Sequence, residues 1–554
     1  MALSLDLSQG CPDASLDMYG RGLDYFEVIF LALFMAVSIL ALVAKRLHVA
    51  YPIMLVLGGL VLSLIPHIPQ VSMNPNVVFL VILPPLVFSA AFHTSWRDFR
   101  ENLIAIVMLA FGLVGFTVLG VAGILRPLIP GFGWKLGFVL GSLVAATDAI
   151  AATATAKRLG LPRRITDLLE AESLVNDGSG LVALKFTLAM VVTGVTPSLA
   201  TGIGTLSYLV FAAILIGLVI GLIVHKIQKH IDDAPVEITI SLVTPYIAYL
   251  AAERLQCSGV LATLACGLYL GRQSSGFYSL HARIESSAVW RTLDFLLNGV
   301  VFLVLGLQLP YILNDIRGIS PRSVILDGVL FSAVVVLLRF LWVYPGEWII
   351  RRIHPLITRR PAVKVTSKET FLLGWAGMRG VLALAAALSL PEKIGNGAPF
   401  PYRNLIIFLT FCVIFVTLVV QGLTMPALIR FLGLAPSSTG YEEESLARRQ
   451  MISAALKALH RLRKEGTEEQ KDIFDPLESF YRHRLLSIER DHKNSSNSEE
   501  SEYLDRRRYV AQELRNVERS VALQLRDQNK IHDEVLRRLE HELDLLDARF
   551  AESD

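Results

Sequence analysis

Between residues 25 and 434 the chain is a near-continuous series of apolar runs, separated by short polar loops. A bilayer core takes roughly 20 apolar residues as helix. Inside it, every backbone N–H and C=O must be bonded within the protein, which helices of that length achieve on their own. The expected fold is therefore an all-α polytopic membrane protein. That ruler places spans near 25–44, 49–66, 76–93, 103–125, 135–156, 167–194, 201–224, 236–254, 258–271, 291–309, 322–343, 369–391 and 404–430, about thirteen in all, the ninth being short. Pro84–Pro85 in the third and Pro245 in the eighth predict bends. Only 18% of the chain is charged, against about 25% in soluble domains. The deficit lies in 25–434, so three parts are expected: a polar external segment 1–24, a membrane domain 25–434 and a soluble helical tail 435–554.

Thirteen crossings place the termini on opposite sides. With the N-terminus outside, the inner loops hold eighteen Lys and Arg and the outer segments eight, which favours N-out and C-in by the positive-inside rule. The tail is then cytoplasmic and the site of residence a cell membrane. No cleavable signal peptide is visible, because the first 24 residues are acidic and polar. Cys11, Cys257, Cys266 and Cys412 form no CxxC pair and no metal-ligand spacing. The net charge of +3 gives no reason to expect a nucleic-acid partner.

The tail carries apolar residues at helical spacing. Leu446, Ile452, Leu456, Leu459 and Leu462 predict an amphipathic helix over 441–463, and a second is expected near 476–490. From 503 to 550, Val510, Leu514, Val517, Val521, Leu525, Val535, Leu539, Leu543, Leu546 and Phe550 fit a long helix or coiled-coil hairpin. A regulatory role and a plain solvated appendage are both open, and the sequence names no ligand for the tail.

The chemistry concentrates in two adjacent spans. Glu172, Ser173, Asn176 and Asp177 sit in the sixth, and Asp148 follows Thr147 in the fifth. A charge near the bilayer centre costs about 3 kcal/mol on insertion scales, so such groups persist where they pair, face water or handle an ion. Glu172 and Asn176, and likewise Ser173 and Asp177, are four apart and share helix stripes. Ser173 and Asp177 can face one ligand while Glu172 faces another helix. Thr147, Asp148, Ser173 and Asp177 offer the oxygen ligands that a hard cation wants, and no His or Cys cluster competes for a transition metal. The fifth span, 141–155, is built almost wholly of small residues, which suits close packing or a helix that unwinds around an ion. Arg339 in the eleventh span is either a counter-ion or a snorkelling side chain. Arg379, in Gly374–Trp375–Ala376–Gly377–Met378–Arg379–Gly380, is a second candidate counter-ion. The small residues after it echo span 5, seven spans earlier. That odd offset reverses direction, as an inverted repeat would.

These residues bring out a family resemblance. The pieces are Leu83–Pro84–Pro85–Leu86–Val87–Phe88, Thr147–Asp148, Glu172–Ser173–Leu174–Val175–Asn176–Asp177–Gly178, Phe295–Leu296–Leu297–Asn298 with Phe302–Leu303–Val304–Leu305–Gly306–Leu307–Gln308–Leu309, and Trp375–Ala376–Gly377–Met378–Arg379–Gly380. In order and spacing they resemble the bacterial sodium/proton antiporters of the monovalent cation–proton antiporter family 1, relatives of the animal sodium/proton exchangers. The likeness covers nearly all of 25–430. It implies a homodimer whose core bundle, spans 4–6 and 11–13, moves against the other spans in alternating access. Spans 5 and 12 would be unwound and cross at the ion site. It also implies that Asp177 carries the cation and the proton in turn, that Thr147, Asp148 and Ser173 help bind sodium, and that Glu172 and Arg339 form a buried structural pair. Asn176 beside Asp177 marks the electroneutral branch. Two positions depart from the pattern: Ala149 stands where a proline is common, and Ser89–Ala90–Ala91 lacks an acid that many relatives carry after Leu–Pro–Pro–Leu.

The function that follows is exchange of sodium for protons, with potassium or lithium as alternative cargo, in service of sodium and pH homeostasis. No cofactor is expected. A membrane sensor built on a carrier fold is the rival class, but a sensor has no need of the full set Asp148, Ser173, Asn176 and Asp177. A channel lacks support because no filter-like loop is visible. An enzyme lacks support because no nucleophile–base pair or nucleotide motif stands out.

Overall fold

The computed structural model describes residues 14–65, 73–129, 131–314, 321–358, 365–394, 397–434, 439–465, 474–482 and scattered positions beyond. It is helical apart from one isolated antiparallel bridge, Lys393 to Pro399, among the described residues. A helix stands at each of the thirteen expected places. We number them α1 (Ala14–Leu47), α2 (Tyr51–Ser63), α3 (Pro75–His93), α4 (Leu103–Leu128), α5 (Trp134–Ala145 and Ile150–Arg158), α6 (Arg163–Val192) and α7 (Leu199–Gln228). The series continues with α8 (Ala234–Arg254), α9 (Gly259–Phe277), α10 (Leu280–Leu307), α11 (Pro321–Thr358), α12 (Ser367–Trp375 and Val381–Leu388) and α13 (Arg403–Leu432). Nine of the helices among the described residues are long and apolar enough to cross a bilayer outright.

Several helices outrun the apolar stretches that locate them. The first begins at Ala14 rather than 25, and the ninth runs on to Phe277. The tenth begins at Leu280, eleven residues before the apolar run, because that stretch is amphipathic: Ala282, Ser286 and Trp290 are buried at four-residue spacing while Arg283, Glu285 and Arg291 are exposed. Hydropathy alone cannot see such an extension. α8 passes through Pro245 without interruption.

Among the described residues, three helices contain π-helical turns, Val78–Ile82, Met108–Leu113 and Val416–Gln421. The first ends where Pro84 and Pro85 remove two N–H donors from the ladder. Such turns release carbonyls from the helical pattern, and here side chains take them up. In α4, Ser179 donates to the carbonyl of Ala110 at 2.5 Å and Trp342 to that of Met108 at 3.2 Å.

Packing falls into two groups. α4, α5, α6, α11, α12 and α13 pack mainly on one another, and α1, α2, α3, α7, α8, α9 and α10 form the second set. In the second set, α2 and α10 meet closely through glycines: a Cβ on Gly59 would lie 3.1 Å from Gly306 Cα. Leu31, Met35, Ile39 and Leu42 are exposed along one face of α1, as are Phe211, Leu215 and Leu222 on α7, which suits contact with lipid tails. The largest wholly buried side chains include two arginines, Arg339 and Arg379.

The chain divides into two compact units, Met1–Pro436 and Ser437–Asp554. In the second, a helix spans Thr439–Glu465, and residues 474–482 are mostly helical. Ile452 and Leu459 are buried and Leu456 is half-buried, whereas Leu446 and Leu462 are exposed. Most of the helix expected over 503–550 lies outside the described residues, as do several residues of the one expected near 476–490.

Candidate functional site

α5 and α12 are each broken in the middle, at residues 146–149 and 376–380. The breaks touch. The backbone N–H of Asp148 donates to the carbonyl of Met378 at 2.7 Å. Gly380 makes the approach possible, since a Cβ there would sit 2.5 Å from Asp148 Cβ and 2.8 Å from its Cγ.

A helix that stops in the membrane leaves carbonyls at one end and N–H groups at the other without helical partners. Side chains meet both needs. At the end of the first half of α5, Arg379 Nε donates to the carbonyl of Val144 at 2.9 Å, and Asn176 Nδ2 to that of Ala145 at 3.3 Å. At the end of the first half of α12, Arg339 donates twice to the carbonyl of Leu373, at 3.2 Å from Nε and 3.0 Å from Nη2. Each broken helix thus has a buried arginine at its negative end, where a cation is favoured. Arg379 also reaches the carbonyl of Gly377, and its backbone N–H donates to Thr417 Oγ1 at 3.0 Å in the π-helical turn of α13. At the opposite ends sits Asp148. Its Oδ1 accepts the N–H of Ile150 at 2.8 Å, capping the second half of α5. Its carboxylate also lies against Gly380, which opens the second half of α12.

α6 supplies the rest. Ser173 Oγ donates to the carbonyl of Thr147 at 2.7 Å and accepts from the N–H of Ala149 at 3.1 Å, so it fixes both sides of the α5 break. Asn176 also donates to Thr147 Oγ1 at 3.1 Å. Its own Oδ1 is buried with no partner among the described residues. Glu172 accepts a long hydrogen bond from Thr147 Oγ1 at 3.4 Å and is held more closely by α11. Arg339 grips it bidentately at 2.6 and 2.9 Å, with both side chains 1% exposed. That burial removes snorkelling as the account of Arg339.

Asp177 differs from every other charge here. Its carboxylate makes no hydrogen bond and no ion pair with any described residue. It lies within electrostatic reach of Asp148, and both residues are only partly buried. The structure therefore gathers Thr147, Asp148, Ser173, Asn176 and Asp177 at the crossing, with Arg379 beside it and Glu172–Arg339 one step behind. A lone carboxylate opposite a second acid can take up one small cation or one proton, whereas Glu172 is already neutralised.

Some acids escaped the sequence reading, among them Glu237, wholly buried in the first turn of α8, and Asp294. Asp294, on α10, accepts a 2.5 Å hydrogen bond from Ser89 of α3. The available signal was its position, a charge at the start of an apolar run and directly before Phe295–Leu296–Leu297–Asn298.

Comparison with known proteins gives a consistent picture. A family profile described as sodium/hydrogen exchanger, transmembrane, matches residues 30–431. An uncharacterized Na+/H+ exchanger of Mycobacterium tuberculosis is 35% identical over 95% of this chain and 96% of its own length. A sodium, potassium, lithium and rubidium/H+ antiporter of Bacillus pumilus is 30% identical over 84% of this chain and 70% of its own. Among solved structures, the sodium proton antiporter MjNhaP1 of Methanocaldococcus jannaschii superposes with a TM-score of 0.57 at 21% identity, covering 74% of this chain and 99% of that one, which shows the fold.

Proposed function

Because this chain belongs to the sodium/hydrogen exchanger family, and is thus a multi-pass membrane antiporter of cations and protons, we propose that it exchanges one sodium ion for one proton at Asp177. The observation that carries this reading is the isolation of Asp177, the one acid of the crossing left without a hydrogen bond or ion pair among the described residues. A carboxylate cannot hold a cation and a proton favourably at once, so binding of one expels the other, and coupling needs no further device. Thr147, Asp148 and Ser173 border the break and complete an oxygen-lined place for sodium.

The two packing groups support alternating access, with the bundle of α4–α6 and α11–α13 moving against the remaining helices as one body. Asn176, in place of a second titratable acid, supports electroneutral exchange. Thirteen crossings belong to the same reading, and the distribution of Lys and Arg supports an N-terminus outside and a tail in the cytoplasm. A homodimer and a regulatory tail belong to the same reading.

Potassium is the second reading of the cargo, favoured by the Bacillus pumilus relative, which is named for sodium, potassium, lithium and rubidium. Oxygen ligands alone do not separate the two ions. The test is transport by purified protein in sealed vesicles carrying a pH gradient, with sodium, lithium and potassium added in turn. Sodium is expected to dissipate the gradient, and Asp177→Asn to abolish that response while remaining folded. Substantial exchange by the folded variant would remove Asp177 from the mechanism.

A further inference from the structure

Outside the crossing, Asp294 is an acid within the membrane helices that no cationic side chain pairs among the described residues. Its Oδ2 is taken by the Ser89 hydroxyl at 2.5 Å, and its Oδ1 is buried without a partner. A hydroxyl cannot neutralise a carboxylate, and an unneutralised acid at this depth is costly to keep. Its neighbours show what it serves.

On one side stands His93, a turn beyond Ser89 on α3, with Nδ1 2.8 Å from the Ser89 carbonyl. His93 lies within electrostatic reach of Asp294 and lines a polar cavity of about 240 Å³ whose walls include Asp98, Asn102, Asp167 and Glu170. On the other side stands Tyr51 of α2. Its ring packs on Phe295, the residue after Asp294, with centroids 5.9 Å apart. Tyr51 is within electrostatic reach of both Asp294 and Asp148. Direct contacts thus string His93, Ser89, Asp294, Phe295 and Tyr51 together, with His93 on the wall of the cavity.

We propose that Asp294 is the staging residue for the transported cation on the His93 side, drawing it from the polar cavity and passing it by Tyr51 to the Asp148–Asp177 site. The free Oδ1 supplies the charge, and the Ser89 hydrogen bond fixes the carboxylate's direction. Asp294 sits on α10 and the receiving acids on α5 and α6, so the two ends of the transfer belong to different packing groups. The inference rests on the antiport reading above.

An amide separates charge from structure. Asp294→Asn keeps an oxygen for Ser89 and removes only the charge. Acidic clefts raise the local concentration of a cation by about tenfold or more, an effect that falls with ionic strength. In vesicles, Asp294→Asn is expected to raise the apparent KM for sodium by about tenfold with Vmax within about a factor of two. Adding choline chloride should raise the wild-type KM toward that of the variant, and Asp294→Glu should restore most of the affinity. An unchanged KM in Asp294→Asn, or an equal rise in Asp294→Glu, overturns the proposal. Should Asp294→Asn not fold, Tyr51→Phe keeps the ring on Phe295 and carries the same test, with an unchanged KM again decisive against it. Wild type and Asp177→Asn run in parallel keep the two readings apart. Exchange lost in Asp177→Asn but kinetically normal in Asp294→Asn defeats only the staging role.

Discussion

At residue scale, Glu172 and Asp177 are five positions apart on one helix and have opposite fates. Glu172 is sealed against Arg339 by two hydrogen bonds, so it holds α6 to α11 and to the end of the first half of α12. Removing either partner strands a buried charge, at a cost of about 3–5 kcal/mol. Arg339→Ala and Glu172→Ala are therefore each expected to lower the apparent melting temperature of the detergent-solubilised protein, with transport falling alongside. A melting temperature and transport rate equal to wild type in Arg339→Ala would show that the pair holds nothing. The acids themselves were legible from sequence, because a charge in an apolar run is conspicuous. Their partners were not legible in the residues alone; the Glu172–Arg339 pairing came only from the family resemblance. Residue order says nothing about whether Arg339 turns inward to Glu172 or outward to the interface, and only burial separates the two. Asp294 was overlooked for a related reason: it lies in the first turn of the expected span 291–309, where a charge reads as sitting at the membrane surface until α10 is seen to begin at Leu280.

At the scale of elements, the site is made from two helices that stop short. Their small-residue composition marked α5 as able to open, and the glycines around Arg379 did the same for α12. What composition could not give was the pairing of the two breaks, which depends on the Asp148–Met378 hydrogen bond between segments 230 residues apart in the chain. Nor could it show that the arginines serve the helix ends. Gly380 tests the crossing directly. An alanine there would bring its Cβ within 2.5 Å of Asp148 Cβ, on backbone-anchored atoms that cannot swing away. One break must move off the other, carrying Asp148 from the end of the second half of α12. A displacement of about 1 Å at a reacting centre can cost on the order of a hundredfold in rate. Gly380→Ala is thus expected to reduce sodium/proton exchange by at least about tenfold, whereas Gly123→Ala, where a Cβ meets open space, should transport normally. Equal activity in both variants would mean that the contact at Gly380 is not part of the working site.

At the scale of the whole molecule, two further outcomes follow from how the charges are distributed. On the proposed reading, with Asn176 next to Asp177, one proton would leave for each sodium bound and the cycle would move no net charge. An imposed membrane potential should then leave the steady-state sodium gradient unchanged at a fixed pH gradient. A voltage-driven shift would assign a second proton to the cycle, with Asp148 the available acid. The other outcome concerns the tail. Every acid of the crossing lies before Pro436, where the first compact unit ends. In the second unit, the helix Thr439–Glu465 leaves Leu446, Met451 and Leu462 exposed. Apolar residues of that kind need a partner, and a partner that prefers one conformation of the carrier shifts the balance between conformations by the difference in its affinity for them. The tail is therefore expected to tune transport rather than perform it. A chain ended at Pro436 should still exchange sodium for protons in vesicles, with a rate or pH profile displaced from that of the full protein. Loss of all exchange in a folded truncated protein would make the tail part of the machine. A rate and profile identical to the full chain would make it a passive appendage.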